Sequence, residues 1–392
     1  MTLRRLALLL LGTLLLGPGA ARAEPPLVVG ALLAVTGPAS FLGAPEARSL
    51  ELLVADLNAR GGIAGRQVKL VVKDTGASPE KAVAMARQLI DEEQVFAIIG
   101  PSTSGESMAV KGIAEEGKVL LVSCAAAEVI TNPVTPHVFK VAPKDRDAAL
   151  TIFDQMKRMK VTRVGLLSSN TGFGKAGKEQ VEKLAPGAGI TIVASEVYDK
   201  AATDLTAEVT KLKAANVQAL VNWSIEPAQA IVIKNARQIG FKGPIFQSHG
   251  FGNIQYARTA GAAAEGVIFP AGRLLVAEAL PAGNPQKGVL VAYKKAYEDK
   301  YQEPASAFGG YAWDALLLLA QAGKAGGLDP ERTRAALEAT RGFVGVSGVF
   351  NFSAQDHNGL QMDAFEMLTV KQGKFVVLQE GAAKKDAPAK KK

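Results

Sequence analysis

The stretch VKLVVKDTGASPEKAVAMARQLIDEEQVFAII, residues 68–99, contains a complete strand–helix–strand unit and decides the fold. β-Branched and leucine residues at Val68–Val72 and Val95–Ile99 are typical of buried strands. Between them, Ser78 is placed to cap a helix and Pro79 to occupy its first position. The apolar face of this helix consists of Val83, Ala86, Leu89 and Ile90. Two strands joined by a helix are expected to lie parallel in one sheet, with a right-handed crossover.

The same alternation continues on both sides of this unit. Leu27–Leu33 has the composition of a strand, and Ala47–Leu57 has leucines at helical spacing. Further predicted strands are Val119–Val122, Arg163–Leu167, Ile190–Ala194, Ala219–Asn222 and Ile245–Gln247. Because the alternation runs in two series, we predict an α/β protein with two Rossmann-like lobes, each built on a parallel sheet.

The N-terminus has the three parts of an export signal. Arg4 and Arg5 precede an apolar run at Leu6–Leu16, and Ala21-Arg22-Ala23 has the small-x-small pattern of a cleavage site. The run is too short to span a bilayer, for which about 20 apolar residues are needed. We therefore predict that residues 1–23 are a cleaved signal peptide and that the protein is periplasmic or otherwise extracytoplasmic.

The net charge of +8 is concentrated at the two ends of the chain. Three arginines of the signal contribute +3, and the lysine-rich residues 381–392, predicted to be a disordered tail, contribute +4. The remaining body carries only +1, so a nucleic-acid partner is not expected. The single cysteine, Cys124, has no intramolecular partner for a disulfide.

The segments that follow the predicted strands indicate what the protein binds. In open parallel sheets, ligands bind beyond the carboxyl ends of the strands. These segments are rich in Gly, Ser, Thr and aromatic residues and poor in acids and bases: 36–43, 100–107, 123–127, 169–174, 223–226 and 248–252. Hydroxyls and helix-start N–H groups form a neutral anion site, and Trp223, Phe173 and Phe41 can supply apolar walls. We predict a pocket that holds a small carboxylate without transforming it, with no catalytic residue, no metal and no cofactor.

Two motifs suggest an enzyme instead. Residues 172–177 fit G-x-G-x-x-G between a strand and a helix, which keeps an NAD-dependent enzyme as an alternative. Four residues separate the strand from Gly172, however, which is too many for the tight turn of a dinucleotide site. Residues 100–105 look like a nucleophile elbow, but Ser104 stands where G-x-S-x-G requires glycine.

The histidines and the cysteine also lack the spacing of a reactive site. His137, His249 and His357 are far apart in sequence, so they do not predict a zinc site. We interpret His137 and His357 as surface or loop residues, and His249, which follows a strand, as facing the pocket. Cys124 is interpreted as a small buried residue rather than a nucleophile.

Several sequence blocks together resemble one protein family. These are VVGAL at 28–32 with TGP at 36–38, LNARGGIAGR at 57–66 leading to Asp74-Thr75, residues 79–89, IIGP at 98–101 and ARQIGF at 236–241. In order and spacing they resemble the leucine/isoleucine/valine-binding family of periplasmic proteins, from about Leu27 to Val377. The resemblance implies a type I periplasmic binding fold, whose lobes close on a ligand by hinge bending.

The resemblance also implies lobe boundaries. Lobe 1 is expected to comprise residues 24–143 and 272–348, and lobe 2 residues 144–271 and 349–380. Three crossings of the chain are expected to join the lobes, near 141–144, 270–274 and 347–350.

The site residues follow from the same resemblance. Ser104 matches the serine that holds the ligand carboxylate in the family, with Ser102 and Thr103 beside it, and Phe173 matches an aromatic of the second lobe. The remaining matched or neighbouring candidates are Phe41, Leu42, Cys124, Ala125, Ala126, Trp223, Ser224 and His249. His249 aligns where amino-acid binders place a glutamate for the ligand ammonium, and Ala126 where they often have threonine.

The ligand follows from these departures. With His249 in place of the glutamate, the site lacks a charged partner for a ligand ammonium. This suggests a ligand without an α-ammonium, such as an aromatic or aliphatic carboxylate or a 2-oxo acid. An amino acid stays possible if Glu226 or Asp314 approaches the pocket.

By this resemblance the expected function is ligand capture for an ABC importer. The partners are then a small carboxylate or amino-acid ligand and an ABC permease in the membrane, and the protein is expected to be a monomer. A sensor module that reports ligand to a membrane receptor uses the same pocket and stays open as an alternative.

Overall fold

The computed structural model describes residues 24–379. The predicted signal peptide and the predicted tail at 381–392 lie outside these residues. Within them the strands form two large sheets, as the two series of strands predicted, and in addition one short hairpin.

The first sheet is parallel throughout and has the order β2–β1–β3–β4–β5. Its strands are β1 (Leu27–Leu33), β2 (Val68–Asp74), β3 (Ala97–Ile99), β4 (Leu120–Ser123) and β5 (Val138–Lys140). Strand β1 pairs with β2 from Leu27↔Val68 to Leu33↔Asp74, so both strands end at the same edge of the sheet. The loops that follow β1, β3 and β4 therefore meet at one edge.

The second sheet has the order β14–β13–β10–β9–β8–β6–β7. Its strands are β6 (Arg163–Ser169), β7 (Thr191–Tyr198), β8 (Ala219–Trp223), β9 (Ile245–Gln247), β10 (Ile268–Gly272), β13 (Phe365–Lys371) and β14 (Lys374–Val377). From β7 to β10 the pairs are parallel, whereas β13 and β14 add an antiparallel hairpin along β10. A separate hairpin joins β11 (Phe343–Val344) to β12 (Val349–Phe350).

Helices cover both sheets and connect their strands. They are α1 (Ser40–Ala59), α2 (Pro79–Asp91), α3 (Ser104–Glu116), α4 (Asp145–Arg158), α5 (Gly172–Leu184), α6 (Thr206–Ala214), α7 (Ala228–Gln238), α8 (Ile254–Ala260), α9 (Lys287–Tyr301), α10 (Ala307–Gly326) and α11 (Pro330–Glu338). The predicted start of α2 is confirmed, because the Ser78 hydroxyl accepts a hydrogen bond from Lys81 N and Pro79 is the first helical residue. In the stretch that the structure describes, no helix combines the length and apolarity needed to cross a bilayer.

The start of α1 differs from the sequence prediction. The helix begins at Ser40 rather than near Ala47, so Phe41 and Leu42 belong to its first turn instead of to a loop. Gly43 and Pro45 resemble helix breakers in the sequence. Gly43 instead allows a close approach, because a Cβ there would lie 2.3 Å from the Ala34 carbonyl carbon.

His137 and His357 lie in loops, as one half of the prediction had it, but both are buried rather than at the surface. The His137 ring nitrogens each lie 3.0 Å from a carboxylate oxygen, of Glu115 and of Glu331. The His357 ring stacks on Phe139 at 3.9 Å between centroids. Both histidines connect segments that are distant in sequence, which local sequence patterns do not indicate.

The chain passes between the two sheets three times: between β5 and α4, after β10, and between β12 and β13. Around the third passage, the segment at 351–359 lies along β5, where Lys140 N donates to His357 O and Asn358 Nδ2 donates to Lys140 O and Ala142 O. The exact lobe boundaries given above stay a prediction.

Candidate ligand-binding cleft

A narrow cavity of about 20 Å³ lies where the loops of the two sheets meet. It is lined by Leu42, Ser102, Ser104, Cys124, Ala125, Ala126, Ala142, Phe173, Ile225, His249, Gly250, Phe308 and Tyr311. Eight of the twelve site residues expected from the sequence are among them. This volume holds little more than one water molecule, so the closed inner cavity must widen before it can admit an organic ligand.

Ser104 is positioned to donate a hydrogen bond into the cavity. It is the first residue of α3, and Thr103 caps that helix through a reciprocal pair with Glu106. Ser104 Oγ accepts a hydrogen bond from Ala127 N at 3.2 Å. The hydroxyl hydrogen is therefore left for another acceptor, and the first N–H groups of α3 have no partner inside the helix. Together they form an anion site at the positive end of a helix.

Ser102 has a different role from Ser104, although both line the cavity. Its hydroxyl donates to the Glu46 carboxylate and accepts from Ala34 N. Burial raises the pKa of Glu46 well above its usual range, so this carboxyl group favours the protonated form. Ser102 thus has both hydrogen-bonding functions occupied and positions the cavity wall.

The loop after β4 is held from behind by a buried lysine. Lys140 Nζ donates to the carbonyl oxygens of Ala126 at 2.6 Å and Ala127 at 3.1 Å. Burial lowers the pKa of Lys140 to about 8. The same loop presents Cys124, and burial raises the pKa of its thiol well above its usual range. The thiol form of Cys124 is therefore an uncharged part of the wall, consistent with its interpretation as a small buried residue.

The second lobe contributes Phe173 and His249 to the opposite wall. Their rings lie edge to face, with centroids 5.4 Å apart. Burial lowers the pKa of His249 to about 3, so the imidazole is neutral. Trp223 lies behind both rings, 6.1 Å from Phe173 and 5.8 Å from His249 between centroids.

Four predicted site residues do not line the inner cavity. Trp223 and Ser224 are fully buried behind it, and the Ser224 hydroxyl donates to Glu226 Oε2 at 2.6 Å. Phe41 and Thr103 instead line an adjacent outer cavity of about 300 Å³. Phe173 and Ile225 border both cavities, so the two spaces are neighbours.

Sequence reasoning missed five lining residues, namely Ala142, Ile225, Gly250, Phe308 and Tyr311. Ile225 and Gly250 lie inside segments that the strand pattern had already marked as strand ends. Phe308 and Tyr311 come from α10, about 200 residues after the Ser104 loop, so no local signal connects them. Tyr311 Oη has no hydrogen-bond partner among residues 24–379 and is a further polar group at the cavity.

The two carboxylates considered in the sequence analysis as partners for a ligand ammonium do not line the inner cavity. Asp314 accepts hydrogen bonds from Val346 N and from both the N–H and the hydroxyl of Ser347, at 2.6–2.8 Å. Glu226 borders the outer cavity. Among the described residues, no Asp or Glu lines the inner cavity.

The two lobes touch at the starts of α3 and α5. A Cβ on Gly172 would lie 2.7 Å from Gly105 Cα, which is closer than side chains approach a backbone. Beside this contact, Phe41 of lobe 1 meets Tyr256 of lobe 2, with centroids 5.2 Å apart. The cleft is thus closed around the inner cavity.

The glycines that suggested a dinucleotide site have packing roles. A Cβ on Gly174 would lie 2.1 Å from Ser169 O, and one on Gly177 would lie 1.9 Å from Trp223 Nε1. Close packing of α5 against the ends of β6 and β8 therefore explains this spacing without a nucleotide.

Comparisons with known proteins agree with this architecture. The family model described as periplasmic binding protein matches residues 26–374. A leucine-, isoleucine-, valine-, threonine- and alanine-binding protein of Pseudomonas aeruginosa is 26% identical over 307 residues, covering 78% of this chain and 80% of that protein. A Leu/Ile/Val-binding protein homolog 7 of Brucella abortus is also 26% identical, covering 96% of this chain and 97% of that protein.

Solved structures show the same fold. An extracellular ligand-binding receptor from Rhodopseudomonas palustris matches with a TM-score of 0.85 and 26% identity, covering 91% of this chain and 100% of the other. The branched-chain amino acid transporter substrate-binding protein of Streptococcus pneumoniae, in complex with isoleucine, matches with a TM-score of 0.78 and 26% identity, covering 90% and 98%.

Proposed function

Because this chain belongs to the periplasmic binding protein family, with the type I fold of the Leu/Ile/Val-binding proteins, we propose that it is the extracytoplasmic solute-binding component of an ABC importer. The family resemblance inferred from the sequence is confirmed. The proposed ligand is a small carboxylate without an ammonium group, such as a 2-oxo acid or an aliphatic or aromatic acid. The proposed partner is a membrane permease that receives this ligand.

One contrast in the inner cavity carries the ligand proposal. Ser104 and the first N–H groups of α3 offer donors for a carboxylate, whereas no lining residue offers a carboxylate to an ammonium. A hydrogen bond to a charged group contributes about 1.5–3 kcal/mol when it is made. Burying an ammonium without such a partner forfeits that contribution and adds the cost of desolvation. The same skeleton without its ammonium is therefore expected to bind better.

The names of the relatives refer to branched-chain and other small amino acids, whereas the resemblance described in the sequence analysis aligns His249 where such proteins place a glutamate. A neutral imidazole is a weaker partner for an ammonium than a carboxylate is. In this proposal the ligand carboxylate is bound as in the amino-acid-binding relatives. The group next to it on the ligand faces His249 instead of a glutamate.

The proposed function is not enzymatic. Ser104 Oγ accepts from a backbone N–H, and the Cys124 thiol is held in its protonated form by burial. Nucleophilic catalysis requires an activated hydroxyl or thiolate beside a base. These observations support capture of the ligand without chemistry.

Matched ligand pairs test the proposal. The protein, with residues 1–23 removed, is unfolded and refolded to release retained cargo, and Kd is then measured by calorimetry. We compare leucine with the 2-oxo acid of the same skeleton, and phenylalanine with phenylpyruvate. We expect the acid without ammonium to bind at least tenfold more tightly in at least one pair. Tighter binding of the amino acid in both pairs, or no binding by any of these carboxylates, refutes the proposal.

A further inference from the structure

Unpartnered polar atoms are concentrated beside the inner cavity at His249 and Asp145. Both ring nitrogens of His249 and both carboxylate oxygens of Asp145 are buried without a hydrogen-bond partner among residues 24–379. Asp145 Oδ1 and His249 Nε2 are 3.6 Å apart. Buried polar groups are nearly always satisfied in native proteins, so four such atoms in one pair require an explanation. A polar group of the ligand can supply it, because His249 lines the cavity.

Asp145 is a carboxylate above about pH 7, and the inference applies to that form. Asp145 is the first residue of α4, where the helix dipole favours a negative charge. The buried Lys140 ammonium also lowers the pKa of Asp145, although desolvation dominates and raises that pKa to about 7. A carboxylate only accepts hydrogen bonds.

The carboxylate form of Asp145 determines the tautomer of His249. A proton on Nε2 is attracted by the facing carboxylate, whereas a lone pair there is repelled by it. Because the imidazole is neutral, a proton on Nε2 leaves Nδ1 as an acceptor. His249 therefore presents an acceptor that needs a hydrogen-bond donor.

We propose that His249 Nδ1 accepts a hydrogen bond from a hydroxyl group of the ligand, so that the ligand is a small hydroxy acid. This inference rests on the proposed function, because it assumes that Ser104 and the start of α3 hold the carboxylate. The hydroxyl lies within a few atoms of that carboxylate, since Ser104 and His249 line the same narrow cavity.

The aromatic rings around His249 favour an uncharged ligand group as its hydrogen-bond donor. Besides Phe173 and Trp223, Phe365 lies 5.6 Å from the His249 ring, edge to face. These rings exclude water from the imidazole, and a fully charged donor pays a larger desolvation cost there than a hydroxyl does. Asp145 lies beyond the imidazole ring and does not line the cavity, so it acts as a positioning residue for His249.

The arrangement also makes ligand recognition depend on both lobes. Ser104 belongs to lobe 1, whereas His249 follows β9 of the second sheet. A ligand that bonds both walls stabilises the closed cleft, since differential contacts are what shift such an equilibrium. A carboxylate without the hydroxyl makes only the first of these contacts.

Calorimetry with hydroxy and deoxy acids of one skeleton tests the inference. The pairs are lactate with propanoate, hydroxyisocaproate with isocaproate, and phenyllactate with phenylpropanoate. In the unaltered protein we expect the hydroxy acid of the best-fitting pair to bind about tenfold more tightly, which is typical of one buried hydrogen bond. In His249→Phe, which keeps a ring of similar shape, we expect this ratio to fall to about one, whatever change the substitution makes to the affinity for the deoxy acid. In Asp145→Asn we expect the ratio of hydroxy-acid to deoxy-acid affinity to fall as well. The amide that replaces the carboxylate can also donate to Nε2, so that His249 is no longer restricted to the Nε2–H tautomer.

A second measurement uses the unaltered protein, so its result does not depend on whether a variant folds. Nitrogen-15 NMR of histidine-labelled protein is expected to show an Nε2–H tautomer for one buried histidine, and its Nδ1 resonance moves when the hydroxy acid binds but not when the deoxy acid binds. The inference is refuted if no pair shows a hydroxy advantage, or if the advantage persists in His249→Phe. In either case the proposed function stands as long as some carboxylate binds. If none of the acids binds, both the proposed function and this inference fail.

Discussion

Replacing Gly172 with alanine should weaken ligand binding by obstructing closure of the cleft. The Cβ added at this position lies 2.7 Å from Gly105 Cα and 2.8 Å from Gly105 N, both backbone atoms of the other lobe. Ordinary contacts of a Cβ are 3.4 Å or longer, so the lobes must separate by several tenths of an ångström. The nearby Met108 Cε, at 3.1 Å, is flexible and can move aside.

The cost of this overlap is confined to the closed state. When the lobes are apart, the alanine methyl group at position 172 meets solvent and the helix gains a residue with better helical propensity. Overpacking of this kind costs about 1–3 kcal/mol. Because closure is linked to binding, the apparent Kd is expected to rise by a factor of about 5–150. The thermal stability of the ligand-free protein should change little.

The assay is calorimetric Kd together with small-angle X-ray scattering of the ligand-free and saturated protein. Gly105→Ala is a matched control, because its added Cβ lies 3.9 Å from the nearest atom of Gly172. Gly112→Ala controls for the helix substitution itself, since no atom lies within 4 Å of a Cβ there. Both controls should bind as the unaltered protein does. Equal Kd values for Gly172→Ala and Gly105→Ala would refute the closure argument.

Further predictions concern the cleft and its buried charges. Ser104→Ala should raise Kd about tenfold or more in calorimetry and also lower Tm, because Ala127 N loses its acceptor; an unchanged Kd contradicts its role in binding. Ser102→Ala should lower Tm as well, because it removes the partner of a buried carboxyl group; unchanged thermal unfolding contradicts this. Asp145 has a folded-state pKa raised from 3.8 to about 7, so its contribution to stability is present below about pH 4 and is lost as the pH rises through 7. Asp145→Asn should therefore gain in Tm relative to the unaltered protein between pH 4 and 8, and a constant difference across this range counts against the shift. The single thiol, Cys124, should react with iodoacetamide at least tenfold more slowly when ligand saturates the protein, as mass spectrometry can show; equal rates contradict closure over it.

The fold was largely predictable because local patterns encode parallel α/β units. Leu27–Leu33 and Ile245–Gln247 are strands at the predicted residues, since buried strands and their helices carry clear hydrophobic periodicity. The late start predicted for α1 shows the limit of this reasoning. Gly43 and Pro45 are residues that usually interrupt helices. The Ala34 backbone approaches position 43 so closely that only glycine fits there, and this contact is visible only in the structure.

The candidate site was predictable where it follows strand ends and not elsewhere. Ser104 and His249 lie beside strand ends of the two sheets, so the rule for open sheets located them. Tyr311 lies within α10, whose apolar sequence indicates that the helix is buried but not which of its side chains face the cavity. The pairing of Asp145 with His249 also had no signal in the sequence, because tertiary packing alone brings residues 104 positions apart to 3.6 Å.

The late return of the chain to both lobes has a consequence for synthesis. Strand β10 pairs along one edge with β13, which begins at Phe365, and α1 packs against α10 so closely that a Cβ on Gly309 would lie 3.0 Å from Pro45 O. A nascent chain that has grown only to residue 300 thus has neither domain complete, and it displays an open strand edge of the kind that promotes aggregation. Folding of the two halves must wait until almost the whole polypeptide has left the ribosome.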